Sequence, residues 1–124
     1  MARTALFDRD GYPAEETLAA IEKWPVKEHE DCADLLRFVA GAWYWPEYAR
    51  EVAPGRWTFA TGGWSGNESL LGALAQNLMF GALMSGRFLR LAGGFAVYCL
   101  AEEQTVALRA ETDRIVEWAW GRKG

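Results

Sequence analysis

The stretch RWTFATGGWSGNESLLGALAQNLMFGALMSGRFLRL, residues 56–91, predicts a strand, a glycine turn and a helix in succession. In residues 56–61, aromatic side chains alternate with small ones, which is typical of a half-buried β-strand. Glycines at positions 62, 63 and 66 then permit backbone turns that residues with a Cβ atom resist. Residues 70–84 are almost wholly apolar. They predict one long central helix over residues 67–91 that is buried on most of its surface.

The turn between strand and helix carries a capping pattern. Ser65 and Glu68 have the S-x-x-E spacing of a capping box, in which each side chain satisfies a free amide of the first helical turn. The sequence therefore predicts that Gly62, Gly63 and Gly66 form a structural loop and that Ser65 and Glu68 cap the helix.

Two helices are predicted before this stretch. Residues 13–24 and 27–45 carry apolar side chains at three- and four-residue steps, and a proline follows each segment. Because the linker between them is short, we expect the two helices to pack antiparallel.

A hairpin and a terminal helix complete the predicted elements. Pro54-Gly55 is a turn signal between residues 50–53 and the strand at 56–61, which predicts a β-hairpin. Residues 95–100 are a strand by composition. The segment 102–120 begins with acidic residues and ends before basic ones, the charge order that a helix dipole favours.

Together these elements predict one α+β domain over residues 1–124. It consists of an N-terminal helical pair, a small sheet of two or three strands, the long central apolar helix and a C-terminal helix within residues 101–124. Residues 1–12 form a polar lead-in.

Composition excludes several classes of protein. About half of the residues are apolar, the net charge is −4, and the basic residues are scattered. A disordered chain and a nucleic-acid-binding protein are therefore not expected. Cys32 and Cys99 form no C-x-x-C motif, so we predict two reduced thiols in the cytoplasm and no metal or other cofactor. The residues from Met1 onward become charged before any apolar core, which predicts no signal peptide.

The sequence favours neither a membrane span nor a catalytic serine. Ser69 to Gly86 carries no formal charge, but the amides of Gln76 and Asn77 near its middle argue against a transmembrane helix. Residues 63–67, GWSGN, nearly match the G-x-S-x-G nucleophile motif, yet the last glycine is missing. The only histidine, His29, also lies upstream of the serine, so no catalytic residue is predicted.

Gln76 and Asn77 predict buried polar contacts. Adjacent helical positions lie about 100° apart, so a helix that is apolar on most sides cannot expose both amides. At least one of them is expected to be buried and hydrogen-bonded, and the simpler role is to tie the helix to its neighbours. The alternative is that Gln76 lines a pocket with Trp64 and Asn67.

Seven tryptophans in 124 residues are more than a core of this size requires. Trp43 and Trp57 fit the core, whereas Trp45, Trp118 and Trp120 cannot all point inward. Exposed tryptophan is typical of interfaces, so Trp118 and Trp120 are predicted to contribute to a homo-oligomer interface.

The segment TGGWSGNE, residues 61–68, followed by Gly93-Gly94 and a strand, resembles a family of small uncharacterised proteins encoded by phages, prophages and other mobile elements. In that family the segment opens a helix. The residues from Tyr12-Pro13 to Trp24-Pro25 and the aromatic run at 43–46 extend the resemblance over residues 12–100.

This chain departs from the family pattern in two places. The basic residue before the glycines, Arg90, is separated from them, and Phe95 stands where the family has a histidine. Any role of that histidine therefore does not carry over. Because the family has no assigned activity, the resemblance implies a small folded protein and no mechanism.

These observations favour an accessory protein of a phage or mobile element that acts by binding and self-associates, without nucleic acid or membrane as its partner. A small-molecule-binding protein, with a pocket near the loop at 62–68, is the alternative. A hydrolase that uses Ser65 is the third possibility, and it requires a base within hydrogen-bond reach.

Overall fold

The computed structural model describes residues 10, 12–91 and 94–121, and for residues 90, 91 and 115–121 it describes the backbone alone. The elements follow in the order α1 (Glu15–Glu22), α2 (His29–Gly41), a short 3-10 helix (Pro46–Tyr48), β1 (Ala49–Ala53), β2 (Arg56–Ala60), α3 (Ser65–Gln76), α4 (Leu78–Leu83), β3 (Phe88–Leu91), β4 (Phe95–Cys99) and α5 (Glu102–Gly121). This arrangement confirms the predicted α+β class.

The strands of the described residues form an antiparallel sheet of four strands in the order β1-β2-β4-β3. The predicted hairpin is confirmed as β1 and β2, and β2 also pairs with β4, which places Trp57 opposite Tyr98. The fourth strand, β3, pairs with β4 only. The sheet therefore has four strands instead of the two or three predicted, since residues 88–91 form β3 and not the end of the predicted central helix.

The main core lies on one face of this sheet. Side chains from alternate positions of β2 and β4 point to that face, where α1, α2 and α3 cover them. The largest fully buried side chains in the core are Trp43, Phe59, Ile21, Leu35, Leu36, Leu70, Leu71 and Leu74.

Helix α5 covers the opposite face. Leu108 packs there with Val97 and Cys99 in a second, smaller cluster. Arg56 of β2 also donates two hydrogen bonds to the carboxylate of Glu111, at 3.0 and 3.1 Å, which ties α5 to the sheet. The sheet thus has helices on both faces.

The predicted long central helix is interrupted at Asn77. This residue has extended backbone angles and caps α4, because its side-chain oxygen accepts a hydrogen bond from the Phe80 amide. Its side-chain nitrogen donates to the carbonyls of Ile21 and Trp24. The amide therefore stabilises the end of α1 and the start of α4 at once, and an uninterrupted helix would forfeit these bonds.

The capping box predicted at Ser65 and Glu68 is not formed. Helix α3 begins at Ser65 itself with Trp64 in the capping position, and no side chain there accepts from the first amides. Ser65 is thus one residue too far into the helix to act as its cap. A capping box is present on α2 instead, formed by Glu28 and Asp31.

Helix α2 ends earlier than predicted. It stops at Gly41, and Trp45 adopts a left-handed backbone conformation before the 3-10 helix begins at Pro46. Within the described residues, no helix has the length and apolarity needed to cross a membrane.

Candidate functional site

The glycine loop between β2 and α3 is shaped by two tryptophans. Gly62 has a φ of 63°, and a Cβ atom there would lie 2.7 Å from Cζ3 of Trp45. A Cβ atom on Gly66 would lie 2.5 Å from Nε1 of Trp64. Neither distance leaves room for a methyl group, so both positions need glycine to let the indole rings pack against the loop. Gly63 also has a positive φ, of 78°, but open space surrounds it.

Asn67, in the first turn of α3, joins the glycine loop to the segment after α2. Its side-chain oxygen accepts a hydrogen bond from the Tyr44 amide at 2.9 Å, and its side-chain nitrogen donates to the Tyr44 carbonyl at 3.0 Å. The nitrogen also donates to the Thr61 carbonyl. Because Asn67 is only 1% exposed, these bonds are shielded from water and hold Tyr44 in one position.

Four aromatic residues, Tyr12, Tyr44, Trp45 and Trp64, pack together around the loop, and we call them the aromatic cluster. Ring centroids are 4.6 Å apart for Tyr12 and Trp64, 5.1 Å for Tyr44 and Trp64, and 4.7 Å for Tyr44 and Trp45. These spacings are typical of favourable aromatic pairs. The cluster forms a continuous aromatic surface that is partly open to solvent.

Trp45 is the strained member of the cluster. With φ of 68° and ψ of 73°, it is the only described residue other than glycine with a positive φ. A bulky side chain in this region costs about 1–3 kcal/mol, so neighbouring contacts must hold it there. The bonds of Asn67 to Tyr44, the following Pro46 and the contact with Gly62 supply that support.

A shallow groove of about 450 Å³ opens beside Trp45. It is lined by Trp45, Glu47, Tyr48, Ala60 and Gly62. Trp45 is 39% exposed and Tyr48 is 56% exposed, so both rings are accessible to a partner. Glu47 is exposed and makes no salt bridge within the described part of the chain. The groove thus combines two aromatic rings with an unpaired carboxylate.

The predicted pocket of Trp64, Asn67 and Gln76 is not assembled. Asn67 is buried, and its side-chain amide is hydrogen-bonded to Tyr44 and Thr61. Gln76 is exposed at the far end of α3, about 16 Å along the helix axis from its start. Trp64 remains beside the loop, and its Nε1 has no acceptor among the described residues. The expectation that Gln76 or Asn77 is buried is confirmed for Asn77.

Ser65 is not placed for nucleophilic catalysis. Its hydroxyl donates a hydrogen bond to the Tyr12 hydroxyl at 3.3 Å. His29 is the exposed first residue of α2, and no hydrogen bond joins it to Ser65 in the described part of the chain. Within the described ranges, no general base is hydrogen-bonded to the Ser65 hydroxyl in the way that activates a serine nucleophile.

The two cysteines are free and buried. Burial and the neighbouring charge of Asp31 raise the pKa of the Cys32 thiol to about 11, and burial raises the pKa of Cys99 as well. Both thiols are thus protonated and unreactive at neutral pH. Among the described residues, no group of histidine, cysteine, aspartate and glutamate side chains has the arrangement of a metal site.

A second exposed feature surrounds α4. Leu78, Met79 and Phe88 are large, apolar and exposed, and we call them the α4 surface. Leu78 is 85% exposed, which is extreme for a leucine in a helix. Of the three, Phe88 lines an apolar cavity of about 140 Å³, together with Phe80, Met84 and Tyr98. The segment that carries Leu78 and Met79 is uncharged, because residues 69–86 contain no lysine, arginine, aspartate or glutamate, whereas Arg87 and Arg90 flank Phe88.

The predicted core tryptophans, Trp43 and Trp57, are buried, and Trp45 is exposed as expected. The predicted interface residues Trp118 and Trp120 belong to α5, but their side chains lie outside the described part of the structure.

Comparisons of the chain with models of protein families, with curated proteins and with solved structures gave no match.

Sequence reasoning missed the groove residues Glu47 and Tyr48 and the exposed Leu78 and Met79. Weak signals for both features were present. A proline directly after Trp45 disfavours right-handed helix at that position, so it marks a change of direction. An asparagine within an apolar helical pattern, Asn77, is a helix-capping residue in the right place to start a new helix.

Proposed function

We propose that this protein acts by binding, not by catalysis, and that it self-associates through the α4 surface. The observation that carries the proposal is the exposure of Leu78, Met79 and Phe88, of which Phe88 lines an apolar cavity. Large apolar side chains grouped at a protein surface are typical of contact sites. A second copy of this chain fits because residues 69–86, which carry Leu78 and Met79, are uncharged, and Arg87 beside Phe88 is paired with Glu102 at 3.1 Å. Two such surfaces therefore bring few like charges together.

The adjacent strand supports the same site. β3 lies at the edge of the sheet, and Phe88 belongs both to this strand and to the α4 surface. The other edge strand, β1, has an irregular register between Glu51 and Ala53 and carries exposed charged side chains, which discourage pairing. Contact between copies is therefore expected on the β3 side of the sheet.

The expected affinity is modest. Burying these partly exposed side chains contributes roughly 1–2 kcal/mol each on both copies. The loss of translational and rotational freedom costs about 4–15 kcal/mol. A micromolar dissociation constant corresponds to a net of about −8 kcal/mol, which is reached only at the favourable ends of both ranges. We therefore expect a dimer that forms at micromolar concentration or above.

Sedimentation velocity across low to high micromolar concentration tests the proposal. The protein is expected to shift from its monomer mass of 13.9 kDa toward twice that mass. Met79→Asp should abolish the shift, because it places a charge in the contact. Val106→Asp is the matched control, since Val106 is 55% exposed against 53% for Met79 but lies on α5. A monomer at every concentration, or equal effects of the two substitutions, would contradict the proposal.

The resemblance of residues 61–68 to proteins of phages and mobile elements supports the further proposal that this protein is an accessory of such an element. A cytoplasmic location is proposed with it, and the free thiols of Cys32 and Cys99 are consistent with a reducing compartment. Trp118 and Trp120 stay candidates for additional contacts between copies.

The two alternatives have less support. A small-molecule pocket at the loop needs polar groups that converge on a cavity, but Asn67 is fully used within the protein. A hydrolase needs a base beside Ser65, whose hydroxyl instead donates a hydrogen bond to the Tyr12 hydroxyl.

A further inference from the structure

From the geometry of the groove beside Trp45, we infer that it binds an arginine side chain presented by a peptide segment of a partner protein. The groove lies between the 3-10 helix, the end of β2 and the glycine loop. It shares no residue with the α4 surface, so this inference is independent of self-association.

The position of Trp45 indicates that the groove is built in advance of binding. A strained residue is retained only where the surroundings determine its conformation, and such residues concentrate at functional sites. Here the Asn67 bonds to Tyr44 fix the preceding residue, and the absence of a Cβ atom on Gly62 lets the indole rest on the loop. A ring that is already fixed loses little conformational entropy when a ligand stacks on it.

The chemistry of the lining selects a cation. Trp45 and Tyr48 offer aromatic rings, which attract positive charge through their electron-rich faces. Glu47 adds a carboxylate without a salt-bridge partner among the described residues. Among the residues that the structure describes, no lysine or arginine lines the groove, and the whole chain carries a net charge of −4. An anionic ligand would meet repulsion from Glu47 that no basic group in this described lining offsets.

Arginine suits this lining better than lysine does. Its guanidinium group is planar, so it can stack on an indole ring while its edge donates hydrogen bonds to a carboxylate. A lysine ammonium is a compact, strongly hydrated charge that cannot make both contacts with the same geometry. The groove places an aromatic ring and a carboxylate two residues apart, at Trp45 and Glu47.

The open form of the groove favours a side chain on a peptide over a free small molecule. Sites for small molecules are usually concave and enclose most of the ligand surface. This groove is shallow, and the accessible rings of Trp45 and Tyr48 flank it. Such a surface contacts one face of the arginine side chain, while the rest of the partner peptide lies outside the groove.

The test uses the full-length protein labelled with 15N and the peptide acetyl-Gly-Arg-Gly-amide. The indole N–H resonance of Trp45, assigned with Trp45→Phe, is expected to shift saturably as the peptide is added. The peptide with citrulline in place of arginine keeps the shape and removes the charge. It should bind about tenfold more weakly or worse, since charged hydrogen bonds are stronger than neutral ones. A lysine peptide is expected to fall between the two.

Two variants locate the site. Glu47→Gln should weaken arginine binding several-fold, and Tyr48→Ala should weaken it without altering Trp45. Glu103→Gln, an exposed glutamate on α5, is the control and should leave the affinity unchanged.

Three results would overturn the inference: no saturable shift of the Trp45 resonance, equal binding of the arginine and citrulline peptides, or arginine binding that Glu47→Gln does not change. Maltotriose, a neutral sugar, serves as a further probe. If maltotriose shifts the Trp45 resonance and the arginine peptide does not, the inference is also overturned, because the aromatic rings would then bind a neutral sugar. Repeating the titration with Met79→Asp separates the two proposals, since the arginine site should be unaffected when self-association is lost.

Discussion

At the scale of single residues, two amides on the same helix have opposite environments. Asn67 is buried and makes three hydrogen bonds, whereas Gln76 is exposed. The sequence offers a pocket shared by both as an alternative, because both are polar residues on the predicted central helix. Polarity alone does not reveal which face of a helix is covered. The decisive partner of Asn67, the backbone of Tyr44, lies more than twenty residues earlier in the chain.

We predict that Asn67→Ala destabilises the protein by about 2–4 kcal/mol, because it leaves the Tyr44 amide and carbonyl without their partner in a partly buried region, while the Thr61 carbonyl keeps the Trp64 amide as a donor. Gln76→Ala is the matched control, an amide-to-alanine change in the same helix, and should stay within about 0.5 kcal/mol of the wild type. Urea denaturation followed by tryptophan fluorescence measures both. Equal losses in the two variants would show that the Asn67 bonds do not hold the segment after α2.

At the scale of elements, the sequence predicted those with strong local signals. The hairpin at Pro54-Gly55, the strand at 95–99 and the helix from Glu102 agree with the structure. Residues 78–83 are helical as predicted, but the interruption at Asn77 and the strand at 88–91 were not predicted, because an apolar run fits a buried helix and a buried strand equally well. The contacts of Asn77 with Ile21 and Trp24, which separate α3 from α4, depend on tertiary structure. The chain turns between α4 and β3 at Gly86, which has a φ of 76°.

The two capping positions of the central region should respond differently to substitution. Asn77→Ala removes a helix cap and two bonds to carbonyls of the first helical segment, so a loss of about 2–4 kcal/mol is expected. Asn77→Ser retains a capping oxygen and should lose less. Ser65→Ala should cost under about 0.5 kcal/mol, since Ser65 caps nothing. Chemical denaturation ranks the three variants. A loss near 1 kcal/mol for Ser65→Ala, the usual value for a cap, would restore the original capping prediction.

The ion pair between Arg56 and Glu111 should give α5 a pH-dependent attachment. The hydrogen bonds from Arg56 hold the pKa of Glu111 below its ordinary value of 4.5. A lowered pKa in the folded state contributes stability that is present above pH 4.5 and is lost as pH falls through the lowered value. Because the Glu111 side chain is 41% exposed, solvent screening limits the contribution to less than about 1 kcal/mol.

Glu111→Gln should therefore be slightly less stable than the wild type at pH 7, and the difference should vanish in acid below the lowered pKa. Asp113→Asn, on the same helix and exposed, is the control for the general effect of removing a carboxylate. Urea denaturation at a series of pH values measures the three proteins. A difference between wild type and Glu111→Gln that is constant with pH would contradict the role of the ion pair.

At the scale of the whole molecule, the sequence predicted the class of fold, but it predicted the order of the strands in the sheet only in part. The helical pair, the hairpin and the terminal helix follow from the spacing of apolar residues and from the proline and glycine turn signals. The placement of β4 between β2 and β3 does not. The groove could not be predicted either. It combines Trp45 with Ala60 and Gly62, which the pairing of β1 with β2 brings near each other. The left-handed backbone of Trp45 and its contact with Gly62 then shape the groove, and neither has a local signal in the sequence.

The α4 surface also has a consequence for the stability of the whole molecule, because association of folded chains stabilises the folded state by mass action. A binding partner, here a second copy of the chain, adds roughly 2.7 kcal/mol to the free energy of unfolding when it is present at about one hundred times the dissociation constant. For a domain of this size, each kcal/mol raises the melting temperature by about 3–6 °C. We therefore expect the melting temperature to rise by several degrees when the protein concentration increases a hundredfold. Met79→Asp should melt at a temperature independent of concentration, while Val106→Asp should keep the wild-type slope. Scanning calorimetry at matched concentrations measures all three proteins. A melting temperature of the wild type that stays constant over this range would mean that Leu78, Met79 and Phe88 are exposed for a reason other than contact between copies.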